Sequence, residues 1–200
     1  MTKGIQYGRL GPRCAHLCVD MQNLFLKPTE WQTPWMQCIC PTIAHLVEAH
    51  STDTIFTRFI PPRTSEEVNG AWRRYYRRWA SMTRDTLPAR LLDIIPDLKR
   101  FIPPATVVDK QRYSPFFSSD LKRILDERNI DSLVITGAET DICVLASILP
   151  AIDWGYRVIV ASDGVCSSAD QGHDALIDLY HDRFSQQVEI ASVSDIISAW

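Results

Sequence analysis

Three residue types that could together cleave a carbonyl bond recur at the ends of short apolar segments: Asp20, Lys110 and Cys143. A thiol is a competent nucleophile once it loses its proton, a carboxylate can take that proton and return it to a leaving nitrogen, and an ammonium stabilises the negative charge between them. Cys143 also stands near the start of a helical stretch, where the helix dipole and unpaired backbone N–H groups favour a thiolate and could hold an oxyanion. Taken singly, each residue has a plainer use. An Asp after a strand caps a turn, a Lys is solvated, and a Cys in an apolar helix belongs to the core.

The elements that must carry these residues are legible as alternating strands and helices. Apolar, β-branched segments run over Ala15 to Val19, Thr54 to Thr57, Thr106 to Val108, Leu133 to Thr136, Arg157 to Ala161 and Gln187 to Ala191. Helical stretches fall over Met36 to His50, Ser118 to Asn129, Asp141 to Trp154, Ala169 to Tyr180 and Ser192 to Trp200. That alternation predicts an α/β chain built on a parallel sheet. Ligands of such sheets bind outside the carboxyl ends of the strands, so Asp20, Arg58, Asp109, Lys110, Cys143 and Asp163 are the residues to inspect.

Between the second and third strands the chain is broken by Pro61, Pro62, Pro88, Pro96, Pro103 and Pro104. Within this excursion, Trp72, Tyr75, Tyr76 and Trp79 fall at i, i+3, i+4 and i+7, so they share one helical face while Arg73, Arg74, Arg77 and Arg78 point elsewhere. Such a face packs on its own domain, contacts another subunit, or walls a pocket. Phe25, Tyr113 and Phe116, with Trp72 or Tyr76, are expected to enclose a small apolar pocket. Arg58 is expected either to fork onto a substrate carboxylate or to pair with a nearby acid.

The 200 residues, 46% apolar, suffice for one core, so residues 1–200 are read as a single domain. A formal net charge of -3 offers no general attraction to nucleic acid or anionic membranes, and neither is expected as a partner. The apolar runs are short and the start lacks the apolar stretch of a secretory signal, so the expected location is the cytoplasm. Of the six cysteines, Cys14, Cys18, Cys143 and Cys166 lie in apolar runs and read as thiols. Cys38 and Cys40 lack a second ligand pair at zinc spacing, and none of the five histidines pairs with a plausible ligand set. No metal or other cofactor is expected.

Four blocks in order resemble the isochorismatase-like cysteine hydrolases, a superfamily that includes nicotinamidases and N-carbamoylsarcosine amidases. They are Cys18-Val-Asp-Met-Gln-Asn-Leu-Phe25, Val108-Asp-Lys-Gln-Arg-Tyr-Ser-Pro-Phe116, Ile135-Thr-Gly-Ala-Glu-Thr-Asp-Ile-Cys-Val144 and Gly155-Tyr-Arg-Val-Ile-Val-Ala-Ser-Asp163. The resemblance covers nearly the whole chain. It implies a three-layer αβα fold with a six-stranded parallel sheet of order 3-2-1-4-5-6. It further implies Asp20 as base, Lys110 as catalytic lysine, Cys143 as nucleophile, a cis peptide between Ala138 and Glu139, and an oxyanion hole from the N–H groups of Glu139 and Cys143. Homodimers or homotetramers are common among such proteins.

Two departures narrow what the resemblance implies. Metal-binding nicotinamidases carry an Asp-x-His motif and a further His after the second strand, whereas here no His occurs from Ser51 to Ala161. Isochorismatases proper cleave a vinyl ether without a cysteine nucleophile, so Cys143 favours acyl transfer from a small amide, carbamoyl or ureido compound. An ether hydrolase, a thiol switch using Cys143 or Cys166, and a catalytically silent binding member of the fold are the alternatives. The thiol switch lacks a Cys-x-x-Cys.

Overall fold

The computed structural model describes residues 4–117 and 119–200. Six strands form one parallel sheet in the order β3-β2-β1-β4-β5-β6. They are β1 (Cys14–Val19), β2 (Thr54–Phe59), β3 (Thr106–Lys110), β4 (Ser132–Ala138), β5 (Arg157–Cys166) and β6 (Val188–Ala191). The central strands β1 and β4 are buried at every position, which is why they read as continuous apolar runs rather than as alternation. Their in-register pairing, from Cys14 opposite Ser132 to Val19 opposite Gly137, brings the two strand ends side by side.

Among the described residues, eight α-helices accompany the sheet: α1 (Asn23–Leu26), α2 (Met36–Ala49), α3 (Gly70–Arg78), α4 (Pro96–Lys99), α5 (Leu121–Glu127), α6 (Leu145–Asp153), α7 (Asp170–Asp182) and α8 (Val193–Ala199). Leu121 and Leu125 of α5, Ile148 and Ala151 of α6 and Tyr180 of α7 pack on Ala15, Leu17, Leu133 and Ile135. Residues of alternate parity take the other face, where Met36, Ile43 and Val47 of α2 and Leu98 of α4 meet Cys18 and Phe56. Ile196 of α8 meets Val134 and Ile159. This parity split is the period-two geometry of strands, and it makes the sheet the middle of three layers.

Several boundaries differ from the sequence reading. β5 runs on to Cys166, with a register irregularity against β4 between Ile135 and Gly137. Asp163 therefore lies within the strand, where its Oδ1 accepts the Val193 N–H at the start of α8, 2.8 Å away. The stretch from Asp141 does not begin as an α-helix. A π turn over Thr140–Val144 precedes α6. The helix expected from Ser118 starts at Leu121, and Ser118 itself lies outside the described residues. All six cysteines are free thiols. Among the described residues, no helix is long and apolar enough to cross a membrane.

Candidate active site

The chain turns sharply where β1 ends. Asp20 adopts a left-handed conformation, φ 52°, which short Asp side chains tolerate better than most and which costs on the order of 1 kcal/mol. Next to it, Gly137 of β4 has φ 110°, and a Cβ there would sit 2.0 Å from the Val19 carbonyl oxygen. Only glycine allows the two strand ends to approach this closely. The Asp20 carboxylate, fully buried, accepts the Thr57 hydroxyl of β2 at 2.6 Å, and the same hydroxyl receives the Asp20 N–H at 3.1 Å.

Lys110, the last residue of β3, brings its ammonium 2.6 Å from Asp20 Oδ2 and 3.4 Å from Cys143 Sγ. The carbonyls of Arg112 and Tyr113 accept from the same nitrogen at 3.1 and 2.9 Å, which fixes its position. Burial opposes the Lys110 charge, but Asp20 and Cys143 outweigh it and hold the ammonium above the usual lysine range. Cys143 differs from the expectation of a thiolate. Burial pushes its thiol up and Asp20 adds to this, with Lys110 pulling against them, so the surroundings favour the S–H form.

The turn that carries Cys143 is held from several sides. The Ala138–Glu139 peptide is cis. The Glu139 carbonyl accepts the N–H groups of Ile142 and Val144 at 3.1 and 3.0 Å. Glu139 Oε1 accepts the Thr33 hydroxyl at 3.3 Å and the Ser168 N–H at 2.9 Å. Thr140 bonds His173 Nδ1 of α7 at 2.9 Å, and Asp141 accepts the Ser167 hydroxyl at 2.7 Å.

Above Cys143 opens a cavity of about 390 Å³, enough for a small organic molecule. Phe25, Tyr113, Glu139 and Cys143 line it, with Trp31, Phe59, Tyr75 and Trp79 completing the aromatic walls. Tyr76 and Trp72 do not reach it. Tyr76 is fully buried behind Tyr75, and Trp72 backs Tyr113, with ring centroids 4.9 Å apart. Phe116 is likewise displaced, packed against Tyr156 and the core around α5 to α7. The aromatic face of α3 and its C-cap is thus used within the chain: Tyr75 and Trp79 roof the cavity, and Trp72 and Tyr76 stack with each other outside it.

Arg58 is the clearest departure among the expected site residues. β2 continues to Phe59, so Thr57 and Phe59 serve the site while Arg58 points to the opposite face. Its guanidinium forks onto Asp109 at 2.7 and 2.8 Å, beside a separate surface cavity. It binds no carboxylate in the Cys143 cavity. Trp31 is the main omission of the sequence reading. It lies in an irregular loop with no period to flag it, yet its ring neighbours Phe25, Phe59, Tyr75, Tyr76 and Trp79 at 5.8 to 6.4 Å.

His16, central in β1, is a satisfied core residue bonded to Thr54 and Thr136 at 3.1 and 2.7 Å. Burial, with a smaller effect of His50, lowers its pKa to about 3 and keeps it neutral. Among the described residues there is no group of three or more His, Cys, Asp or Glu placed to hold a metal ion.

Residues 14–192 match the family model described as the isochorismatase domain. The chain belongs to the isochorismatase family. Among curated members of this family and its relatives, it is 36% identical over 81 residues to the isochorismatase family protein PncA of Bacillus subtilis, covering 40% of this chain and 44% of that one. It is 26% identical over 168 residues to N-carbamoylsarcosine amidase of an Arthrobacter species, covering 78% and 60%. The matches thus span about half the length of these relatives. A probable inactive nicotinamidase of Arabidopsis thaliana is 26% identical over 82% of this chain and 85% of its own. Among solved structures, a cysteine hydrolase from Pseudomonas syringae superposes over the whole of both chains with a TM-score of 0.81 at 23% identity, which shows the shared fold. The relatives that this isochorismatase-family chain matches therefore include an N-carbamoylsarcosine amidase.

Proposed function

We propose that this isochorismatase-family protein is a cysteine hydrolase that cleaves the C–N bond of a small amide, carbamoyl or ureido compound through a thioester on Cys143. One observation carries the reading: a single buried ammonium touches both a carboxylate and a thiol, at 2.6 and 3.4 Å, on the floor of a substrate-sized cavity.

The protonated resting thiol assigns Asp20 its task. As Cys143 Sγ attacks the carbonyl carbon, its proton passes to Asp20, and the carbonyl π electrons move onto oxygen. The N–H groups of Glu139 and Cys143 receive that oxyanion in this reading. Collapse of the adduct expels the amine with the C–N electron pair, and the proton on Asp20 goes with it. Water then attacks the thioester, giving a proton to Asp20, and the C–S bond breaks to return a thiolate that Asp20 reprotonates. Lys110 holds the charge steady throughout, because each anionic form of the pair faces the same ammonium.

A panel of primary amides, N-carbamoyl acids, ureas and nicotinamide assayed for ammonia release tests the proposal. Cys143→Ala should lower turnover by at least about 10⁴-fold with an unchanged unfolding curve, since loss of a nucleophile removes the chemical route rather than a packing contact. Full activity in that variant eliminates the mechanism.

A further inference from the structure

The cavity has a charge pattern that reaches beyond the reaction type. Six of its lining residues are aromatic, namely Phe25, Trp31, Phe59, Tyr75, Trp79 and Tyr113. Two more are acidic: Glu139, anchored by Thr33 and Ser168, and the exposed Glu30, anchored by Ser81. Among the described lining residues there is no Arg, Lys or His. Arg58 is engaged by Asp109 on the other face, and Lys110 below is matched by Asp20. With that pair matched, Glu30 and Glu139 are the charged side chains among the described lining residues.

Such walls discriminate between substrates. A carboxylate entering here would lose hydration, meet two like charges and find no donor fork in return. An ammonium or alkylated ammonium would keep favourable electrostatics on losing water, because aromatic faces present negative potential and the acids add to it. One of these rings already seats a cation in the folded chain, with Arg78 5.3 Å from the Trp79 ring centroid.

We infer that the preferred substrate is an amide or ureido compound carrying a positively charged nitrogen, held between Trp31, Tyr75 and Trp79 with Glu30 and Glu139 facing the charge. This rests on the reading of the cavity as the substrate site of a C–N hydrolase. It sets the chain apart from any enzyme that grips a substrate carboxylate.

Calorimetry on the Cys143→Ala protein with three amides of similar size measures the preference without turnover: (trimethylammonio)acetamide, its neutral isostere 3,3-dimethylbutanamide, and the carboxylate succinamate. The cation should bind roughly 3- to 30-fold tighter than the isostere, the range of a desolvated cation on aromatic faces, and succinamate should bind weakest. Adding Glu30→Gln should shrink the cation-to-isostere ratio. An isostere binding as tightly as the cation, succinamate binding tightest, no measurable binding of the cation, or a ratio unmoved by Glu30→Gln would overturn the inference. Ammonia release by the unsubstituted protein reads the hydrolase proposal separately, so the two can fail independently.

Discussion

Two buried ion pairs stand at opposite ends of the same sheet, and they are built for different purposes. At the amino end, Arg157 opens β5 and forks onto Glu189 of β6 at 2.6 and 3.1 Å. Glu189 also accepts the N–H groups of Gln6 and Tyr7 at 2.5 and 3.2 Å, and Arg157 donates to the Gly8 carbonyl at 2.9 Å. Every contact there ties the first residues to the sheet edge. At the carboxyl end, the Asp20–Lys110 pair is buried more completely, and Lys110 bonds the Arg112 and Tyr113 carbonyls and also a thiol. A pair whose surplus bonding goes to backbone alone fastens a segment. A pair that is fastened in the same way and also touches a thiol has the parts to move a proton.

The contrast can be broken most forcefully at Lys110. Lys110→Met should cost about 3 to 5 kcal/mol in urea unfolding, because Asp20 is left charged and buried without its counterion. Turnover should fall by roughly 10² to 10⁴-fold. Adding Asp20→Asn should recover part of the stability and none of the activity. Recovery of both would make the carboxyl-end pair a fastener like the other.

Arg157→Ala is the complementary test. It should lower stability by about 2 to 3 kcal/mol, less than the fully buried case because the Arg157 side chain is 21% exposed. Ammonia release at 25 °C should stay within about twofold. A large loss of activity in a stably folded variant would show that the two ends are coupled.

Titration sharpens the comparison further. Burial opposes the Glu189 charge, but Arg157 and the two N–H groups outweigh it and hold the carboxyl below the usual range. That stabilisation is present above the unfolded carboxyl value near ~4.3 and is lost as pH falls through the lower folded value. Lys110 behaves oppositely. Its folded pKa is raised, so its contribution is present below about 10.4 and is lost as pH rises through the folded value. Unfolding midpoints against pH should therefore lose their acid limb component in Glu189→Gln and their alkaline component in Lys110→Met. His16 adds its own acid sensitivity from ~6.5 down to about 3.

The smallest effect belongs to Arg58. Its pair with Asp109 is partly exposed, so Arg58→Ala should change stability by no more than about 1 kcal/mol. The Michaelis constants of neutral and acidic amides should shift together, within about twofold. A selective rise for acidic ones would restore the carboxylate-binding role that the geometry removes.

Much of this arrangement is legible in the chain because strand ends are marked by chemistry. The β1 and β4 runs stop at Asp20 and near Gly137, and Lys110 closes β3, so the rule that ligands gather at carboxyl ends selects residues that converge. The errors came where parity or enclosure decides. Ending β2 at Thr57 made Arg58 a rim residue, whereas two further residues of strand turn it away. Trp72 and Tyr76 share the helical face of Tyr75 and Trp79, but periodicity cannot say which members of a face stand in front. Burial also raises the Cys143 thiol in a way that sequence does not display: the start of a helical stretch is visible there, and the depth of burial is not.

The burial that raises the Cys143 thiol bears on how the protein meets oxidising conditions. Peroxide attacks thiolates, and the reaction slows as the anion becomes scarce. If Cys143 acts as proposed, the burial that favours its S–H form and the roof of indole and phenol rings should together slow sulfenic acid formation while the cavity is empty.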